Sequence, residues 1–569
     1  MARPGDDEAT PPGARLTRWR AAIARARERA VREGARGFVD ELISQPDAAQ
    51  LVPTLPVQEL YYAIREVGLA DSHDLVALAS PEQVQGFLDL DAWRREELLP
   101  ERISEWIDAL VDAGPERLLA AIAGLDDEVP ALYLQRHLRV YDLTLEEPPE
   151  EPEGHFYPTP DRFYLLDVLD SGEEGKRVER FLDWLYRADL DFARKTVMGA
   201  KWGLSSELEE YAYRWRAGRM ADLGFVDFYD ALKVYRWLDP ATVHVGEGSA
   251  DASAQDQPSV PAAIAASLGA GGFLARALEV IDEPGERARI QRALLVLANR
   301  VMAADLVEPG DIEAARGALE RMAAYLGVGL EYLGRGDAKL GAEALRTIAA
   351  SRIFRVGVSL TIKLKQAAET LAEKGWVTLV PRQTSLLDPP WSDAVAALRR
   401  HRPLFGLVSP ARPFATLAEV AQVAALLEEA ALMGQTVQRG LGVDPERLAP
   451  AALEGVHPPR PAITFNAIVG TLLCNALLDR PPALVPLRRA DLAPLRARVI
   501  DAGALRPVAR ERMAAIIEER LAERGVDRPA ALPRWLQSWS DHLERTLAPS
   551  VVGAPASDAT TTPGLLVRG

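Results

Sequence analysis

Cysteine is almost absent from this chain: Cys474 is the only one in 569 residues. No internal disulfide and no cysteine-built metal cage can form. That economy fits a reducing compartment, and a cytoplasmic location is expected. Histidine is scarce too. The seven, at positions 73, 137, 155, 244, 401, 457 and 542, are scattered, and none has a partner at a metal-binding spacing such as H-E-x-x-H. No metal and no cofactor are expected. Met1 to Gly13 is polar and lacks the apolar centre of a signal peptide. The least polar long run, Ala462 to Leu478, spans 17 residues and contains Thr464, Asn466, Thr471 and Asn475. It is short and polar for a membrane span, so it reads as a buried core helix and no transmembrane segment is expected.

Nucleotide-binding and hydrolytic signatures are missing as well. Gly172-Glu173-Glu174-Gly175-Lys176 has two residues where a phosphate loop needs four, and acids where backbone amides should meet phosphate. Gly269-Ala270-Gly271-Gly272 lacks the third glycine of a dinucleotide fingerprint. Both are expected to be turns. No G-x-S-x-G elbow occurs, and Cys474 lies in an apolar helix, where a thiol is inert. Acidic pairs such as Glu96-Glu97 and Glu209-Glu210 read as solvated helix faces. No catalytic residue is assigned from sequence.

Positive charge is in deficit. Asp and Glu number 83 against 66 Lys and Arg, for a formal net charge of −17. Non-specific nucleic-acid binding depends on neutralising phosphates, so the whole-chain balance argues against it. One segment runs the other way: residues 15–36 hold eight arginines (15, 18, 20, 25, 27, 29, 32 and 36) against Glu28 and Glu33. As a helix it sets Leu16, Trp19, Ile23, Ala26 and Ala30 on one stripe with arginines around it. Such a stripe suits a membrane surface or an acidic partner; the plainer outcome is packing on the protein's own acidic surface.

What the chain has in quantity is helical periodicity with matching punctuation. Val57, Leu60, Tyr61, Ile64 and Val67 form one stripe, with Pro56 at its start. Ser80-Pro81-Glu82-Gln83 has the form of a capping box. Ile103, Trp106, Ile107, Leu110 and Val111 form another stripe between Pro100 and Gly114, and Leu118, Leu119, Ile122 and Leu125 follow Pro115. Further stripes are Val178, Phe181, Leu182 and Leu185; Leu208, Tyr211, Ala212 and Trp215, with Ser206 and Glu209 at capping-box spacing; Phe228, Ala231, Leu232 and Tyr235; Ile290, Leu294, Leu297 and Val301; and Leu319, Met322 and Leu326. Phe156-Tyr157 and Phe163 to Leu166 flank a turn and predict a small hairpin.

These signals predict a mostly α, multi-domain protein with at most that hairpin near 156–166. The expected organisation is an N-terminal arm (1–36), a helical domain (37–145), a second helical domain with the hairpin (155–244), a linker (245–260), a C-terminal helical domain (261–548) and a disordered tail (549–569). An acidic, proline-rich stretch, Glu146 to Glu153, precedes the second domain. Gly86-Phe87-Leu88-Asp89-Leu90 is echoed by Gly224-Phe225-Val226-Asp227-Phe228, but no repeat period is sustained.

Residues 351–366 read two ways. At helical period, Arg352, Arg355, Ser359 and Lys363 fall on one line while apolar residues cover most of the remaining circumference; at period two, Val356, Val358, Leu360, Ile362 and Leu364 share a strand face. Ala- and Glu-rich flanks favour a continuous helix, with Trp376 to Val380 strand-like. Cations on a largely apolar element need partners. Carboxylates from neighbouring helices are the default, and a bound phosphate or carboxylate at Arg352, Arg355, Ser359 and Lys363 is the ligand-site alternative.

Arg216 to Pro240, Gly86 to Trp93 and Ser351 to Leu364 resemble segments of an uncharacterised bacterial family, a domain of unknown function. The resemblance implies a largely helical fold over most of the chain and carries no reaction, cofactor or catalytic residue. More loosely, residues 53–125 are similar to the helical N-terminal domain of bacterial magnesium transporters, through leucine spacing and proline-initiated helices. The expectation is a non-catalytic helical scaffold or interaction module with a protein partner; the alternative is an anion-sensing regulator.

Overall fold

The computed structural model describes residues 12–94, 97–246, 272–374, 378–380, 384–548 and 564–568. The fold is mostly α, with a few short strands in small sheets. Two compact units divide the chain, one ending at Gly357 and one beginning at Val358.

In the first unit, helix α1 (Pro12–Glu33) lies against α2 (Ala35–Ile43). Helix α3 (Val57–Val67) follows Pro56 and fully buries Leu60, Tyr61 and Ile64, as its spacing predicts. Helix α4 (Pro81–Asp91) starts with the predicted capping box: the Gln83 amide donates to Ser80 Oγ at 3.2 Å, and the Ser80 amide donates to Gln83 Oε1 at 2.8 Å. Helix α5 (Pro100–Ala113) buries Ile103, Trp106, Ile107, Leu110 and Val111 and ends at Gly114, whose φ of 105° stops the helix where only glycine is at ease. Helices α6 (Pro115–Ile122) and α7 (Glu128–His137) continue the array.

Strand β1 (Leu138–Asp142) corrects the expectation of helix as far as residue 145. It pairs with β3 (Tyr164–Val168), which also pairs with β2 (His155–Pro158), giving an antiparallel sheet of order β1-β3-β2. Leu166 faces Val140 on one side and Tyr157 on the other. The predicted hairpin is therefore two strands of three, and the acidic stretch 146–153 joins β1 to β2 within one sheet. The missed strand pairs with residues more than twenty positions away, and a period-based reading has no access to that partner. Gly172, expected in a turn, opens helix α8 (Gly172–Ala188), followed by α9 (Leu190–Trp202) and α10 (Ser205–Asp222).

Helix α11 (Pro284–Ala304) buries Ile290, Leu294, Leu297 and Val301, and α12 (Ile312–Leu333) buries Leu319, Met322 and Leu326. Gln58 and Asn299, both fully buried, exchange reciprocal amide hydrogen bonds at 3.2 and 3.3 Å, tying α3 to α11 across 241 residues. The linker expected at 245–260 lies, from 247 on, outside the described residues. The two echoed segments differ in structure: Gly86 is inside α4, while Gly224 sits in a loop at φ 91°.

Helix α13 (Ala350–Lys374) settles residues 351–366 as helix. In the first unit it crosses α12 at two glycines: a Cβ on Gly357 would stand 1.9 Å from the Tyr325 carbonyl oxygen, and one on Gly329 would stand 2.2 Å from that of Ile353. Of the strand-like run, residues 378–380 are a short strand and 376–377 lie outside the described residues.

The second unit is built around α15 (Phe465–Leu477), every residue of which is buried; α14 (Leu417–Gln435) precedes it. Helices α16 (Pro507–Glu523) and α17 (Leu532–Leu547) pack against α15, and α17 buries Trp535 and Trp539. The polar residues that made this run unlike a membrane span have work here. Thr471 Oγ1 accepts the Leu566 amide at 2.8 Å, and Asn475 Nδ2 donates to the carbonyls of Val485 (2.8 Å) and Thr471 (3.1 Å). Strand β6 (Val567–Arg568) lies between β4 (Val456–His457) and β5 (Leu487–Arg488). Residues 549–563 of the expected disordered tail lie outside the described residues. Its end does not match that expectation, because Leu565 and Leu566 are fully buried.

Candidate functional site

The four residues of the proposed anion line divide between the units. In the first, Arg352 is exposed, and Arg355 donates from Nε to the Arg236 carbonyl at 2.9 Å and from Nη2 to the Trp237 carbonyl at 3.0 Å. Burial, with Arg236 and Arg352 nearby, lowers the Arg355 pKa. In the second, Ser359 is buried and Lys363 is exposed. Of the line, Arg355 thus caps main-chain carbonyls.

The arginine-rich segment 15–36 is helix α1 and the start of α2, and cations of α1 meet the chain's own acids. Arg18 pairs with Asp47 at 2.6 Å, Arg25 with Glu41 at 2.9 Å, and Arg27 with the buried Glu59 through two bonds of 2.8 Å. Ala22 and Ala26 are buried against the protein. The geometry is that of packing on an acidic surface.

The two longest family-like segments of the first unit come together. Arg219 of α10 forks onto Asp89 of α4 (Nε to Oδ2 2.6 Å, Nη2 to Oδ1 2.9 Å) and also reaches Asp126 at 2.7 Å. Arg216 donates to the Asp89 carbonyl at 2.8 Å, with its guanidinium 5.2 Å from the centre of the Trp93 ring. Burial pulls the Arg216 pKa down to about 10. Asp91, on the same turn as Asp89, accepts from Tyr61 Oη and Trp106 Nε1, each at 2.9 Å. The cavity beside Asp89, lined among others by Gln85, Trp93 and Asp126, has a volume of about 10 Å³, room for roughly one water. This is a clamp between helices and leaves no space for a ligand.

That clamp turns α10 inside out. Ala212, Arg216, Arg219 and Met220 face the protein, while Tyr211 (54% exposed) and Trp215 (63%) face solvent with Leu204 (62%) before them. Trp202, at the end of α9, is 59% exposed. Of the stripe that predicts a buried face, Leu208, Tyr211, Ala212 and Trp215, only Ala212 is buried; Leu208 is half-buried, and the two aromatic members point outward. The capping box expected at Ser206 and Glu209 is not formed either: α10 starts two residues earlier than that cap requires, at Ser205 after Leu204, with no side-chain cap. Cations hold the exposed rings, Lys201 Nζ lying 5.0 Å from the Trp202 ring and Arg214 Cζ 5.8 Å from that of Tyr211.

A second constellation runs along α5, α7 and the start of α8. Pro100, Ser104, Asp108 and Asp112 stand four apart on α5, and Tyr133 and His137 stand four apart on α7. Tyr133 Oη donates to Asp108 at 3.1 Å, and burial raises the Asp108 carboxyl pKa against the opposing pull of Tyr133 and Arg177. Arg177 of α8 pairs with Asp112 at 2.9 Å. Ser104 Oγ lies 2.6 Å from His137 Nε2, and His137 Nδ1 lies 2.5 Å from Asp170 Oδ2. Because a carboxylate only accepts, Nδ1 carries the proton, and a neutral ring then accepts the Ser104 hydroxyl at Nε2. The Ser104 hydroxyl is also placed to donate to the Pro100 carbonyl at 3.2 Å, so its single proton is shared between that carbonyl and Nε2. Sequence reasoning missed this set, whose members are 33 residues apart in each step; no local spacing could have signalled it. Among the described residues no group of three or more His, Cys, Asp or Glu could hold a metal ion.

A model of a family of unknown function, DUF6178, matches residues 19–568. The chain belongs to this family. DUF6178 thus spans both compact units, and the clamp of Asp89 with Arg219 and the Ser104–His137–Asp170 chain all lie inside the matched range. No curated protein and no solved structure matches the chain, so the likeness of residues 53–125 to magnesium transporters gains no support. No helix among the described residues is long and apolar enough to cross a membrane.

Proposed function

We propose that this DUF6178 protein is a helical interaction module that docks a partner protein on the outward stripe of α10. The observation that carries the reading is the inverted helix: Arg216 and Arg219 turn inward, Arg219 onto Asp89 and Asp126, while Tyr211 and Trp215 stand in solvent. Contiguous exposed apolar side chains on a folded protein mark interaction surfaces, and Trp, Tyr and Arg are the residues that dominate interface energetics. Leu204, Leu208, Tyr211 and Trp215 follow the spacing by which a helix presents anchors to another protein's surface.

The test places a photocrosslinking amino acid at Tyr211 in the full chain expressed in its own cells, with the exposed Arg117 position as control. One discrete protein adduct at Tyr211, absent at the control and lost on Trp215→Glu, supports the reading. An adduct pattern identical at both positions, or one indifferent to Trp215→Glu, overturns it. Because Trp215 is exposed, the substitution leaves the melting temperature within about 1–2 °C.

A further inference from the structure

The geometry points to Ser104 as a nucleophile, activated through His137 and Asp170, that accepts an acyl group from an ester. Serine, imidazole and carboxylate are joined by two hydrogen bonds in series, 2.6 and 2.5 Å long, in the order and through the ring nitrogens that acyl transfer requires. Such a set is recognised by geometry and roles, and it recurs on unrelated folds. The ring is held from its face as well: the Tyr133 ring lies 4.6 Å from it, and Tyr133 is itself anchored on Asp108.

The set lies just under the surface. Ser104 and His137 are each less than a tenth exposed, the Asp170 side chain is 26% exposed, and the neighbouring Leu169 offers an exposed apolar side chain. The main chain beside the ring is fixed by the Leu169 amide donating to the His137 carbonyl at 2.9 Å. Helix α8 opens at Gly172, two residues beyond Asp170, with no side chain capping it. The leading amides of a helix have no intrahelical acceptor, and they are the donor type that stabilises a tetrahedral oxyanion.

In the step proposed, Ser104 Oγ bonds to the ester carbonyl carbon as its proton passes to His137 Nε2. The bond from that carbon to the alkoxy oxygen then breaks, and the alcohol leaves with the proton from His137. Water, deprotonated by His137, attacks the acyl-serine and restores the Ser104 hydroxyl. Ester and water become acid and alcohol, with no change of oxidation state.

The experiment treats the folded, full-length protein with a fluorophosphonate reporter and maps the adduct by mass spectrometry. Labelling at Ser104 that is abolished by Ser104→Ala and slowed about a hundred-fold or more by His137→Gln supports the proposal, that being the usual scale of general-base assistance. No adduct, an adduct on another serine, or a rate unchanged in His137→Gln overturns it. Should Ser104→Ala fail to fold, Ser104→Cys gives the second measurement, since Cys474 is fully buried and silent. Iodoacetamide alkylation of that thiol should set in at lower pH than for a free cysteine, and lose the advantage when His137→Gln is added. Alkylation at the pH of an ordinary thiol in both proteins sinks the assignment.

Discussion

At the scale of single residues, a sharp constraint is the contact of two helix backbones at Gly329 and Gly357. A methyl group at Gly357 would overlap the Tyr325 carbonyl oxygen at 1.9 Å, so α12 and α13 must separate or bend to admit it. Overpacking of this kind costs typically about 1–3 kcal/mol, and more when backbone is the obstacle. Gly357→Ala should therefore lower the urea midpoint clearly, whereas Ala at the open helical position Gly218 should leave it unchanged or slightly raised. Arg355 poses a different question. Its guanidinium holds two main-chain carbonyls, and Arg355→Ala should destabilise the ligand-free protein by about 1–2 kcal/mol. An unaltered melting temperature combined with loss of a phosphate-dependent shift would instead restore the anion reading of this line.

At the scale of elements, the seating of α10 rests on charge inside the protein. Asp89 is almost fully buried, and Asp89→Ala takes away the carboxylate that Arg219 grips, while Arg216 keeps the main-chain carbonyl of residue 89. Truncating one partner of a buried pair costs about 3–5 kcal/mol; Arg219 keeps Asp126 and some solvent, which places the expected loss near about 3 kcal/mol. Chemical denaturation measures it, and α10 should become the first segment to exchange its amides. In the second unit, Arg480 and the Arg488 amide hold the Asp491 carboxyl down at about 2. A depressed carboxyl contributes stability that is present above its unfolded pKa, near 4, and lost as pH falls toward 2. Because Arg480 is partly exposed, screening reduces the contribution to about 1 kcal/mol. Asp491→Asn should flatten the stability profile between pH 4 and 2 by about that amount; an unchanged acid limb would refute the assignment. The helical period of α10 was legible. The side that faces inward was not, because Leu208, Tyr211 and Trp215 carry the same spacing whether they face a core or water.

At the scale of the whole molecule, the chain's last described residues complete the second unit. Strand β6 joins two others, and the Leu566 amide is received by Thr471 in the middle of the most deeply buried helix. Removing residues 549–569 should uncover α15, raise binding of an apolar dye and lower the melting temperature of the second unit. An unchanged calorimetric profile would show that β6 adds nothing. Composition could not have signalled this role: the end of the chain is small and polar up to Leu565, and only its pairing with residues about 80 and 110 positions earlier gives it structure.

The sequence by itself determined the class of the fold, the helix from Pro100 to Gly114, the Ser80–Gln83 cap, the 156–166 hairpin and the buried nature of Phe465–Leu477. Each depends on residues within a few positions of one another, where period and capping chemistry operate. The tertiary structure alone decided that β1 is a strand, that the aromatic stripe of α10 faces outward, and that Ser104, His137 and Asp170 meet. Each of those outcomes depends on a partner far along the chain, such as Asp89, 130 residues from the arginine that turns α10 around. Local side-chain spacing carries no information about which distant group will satisfy a buried charge or pair an edge strand.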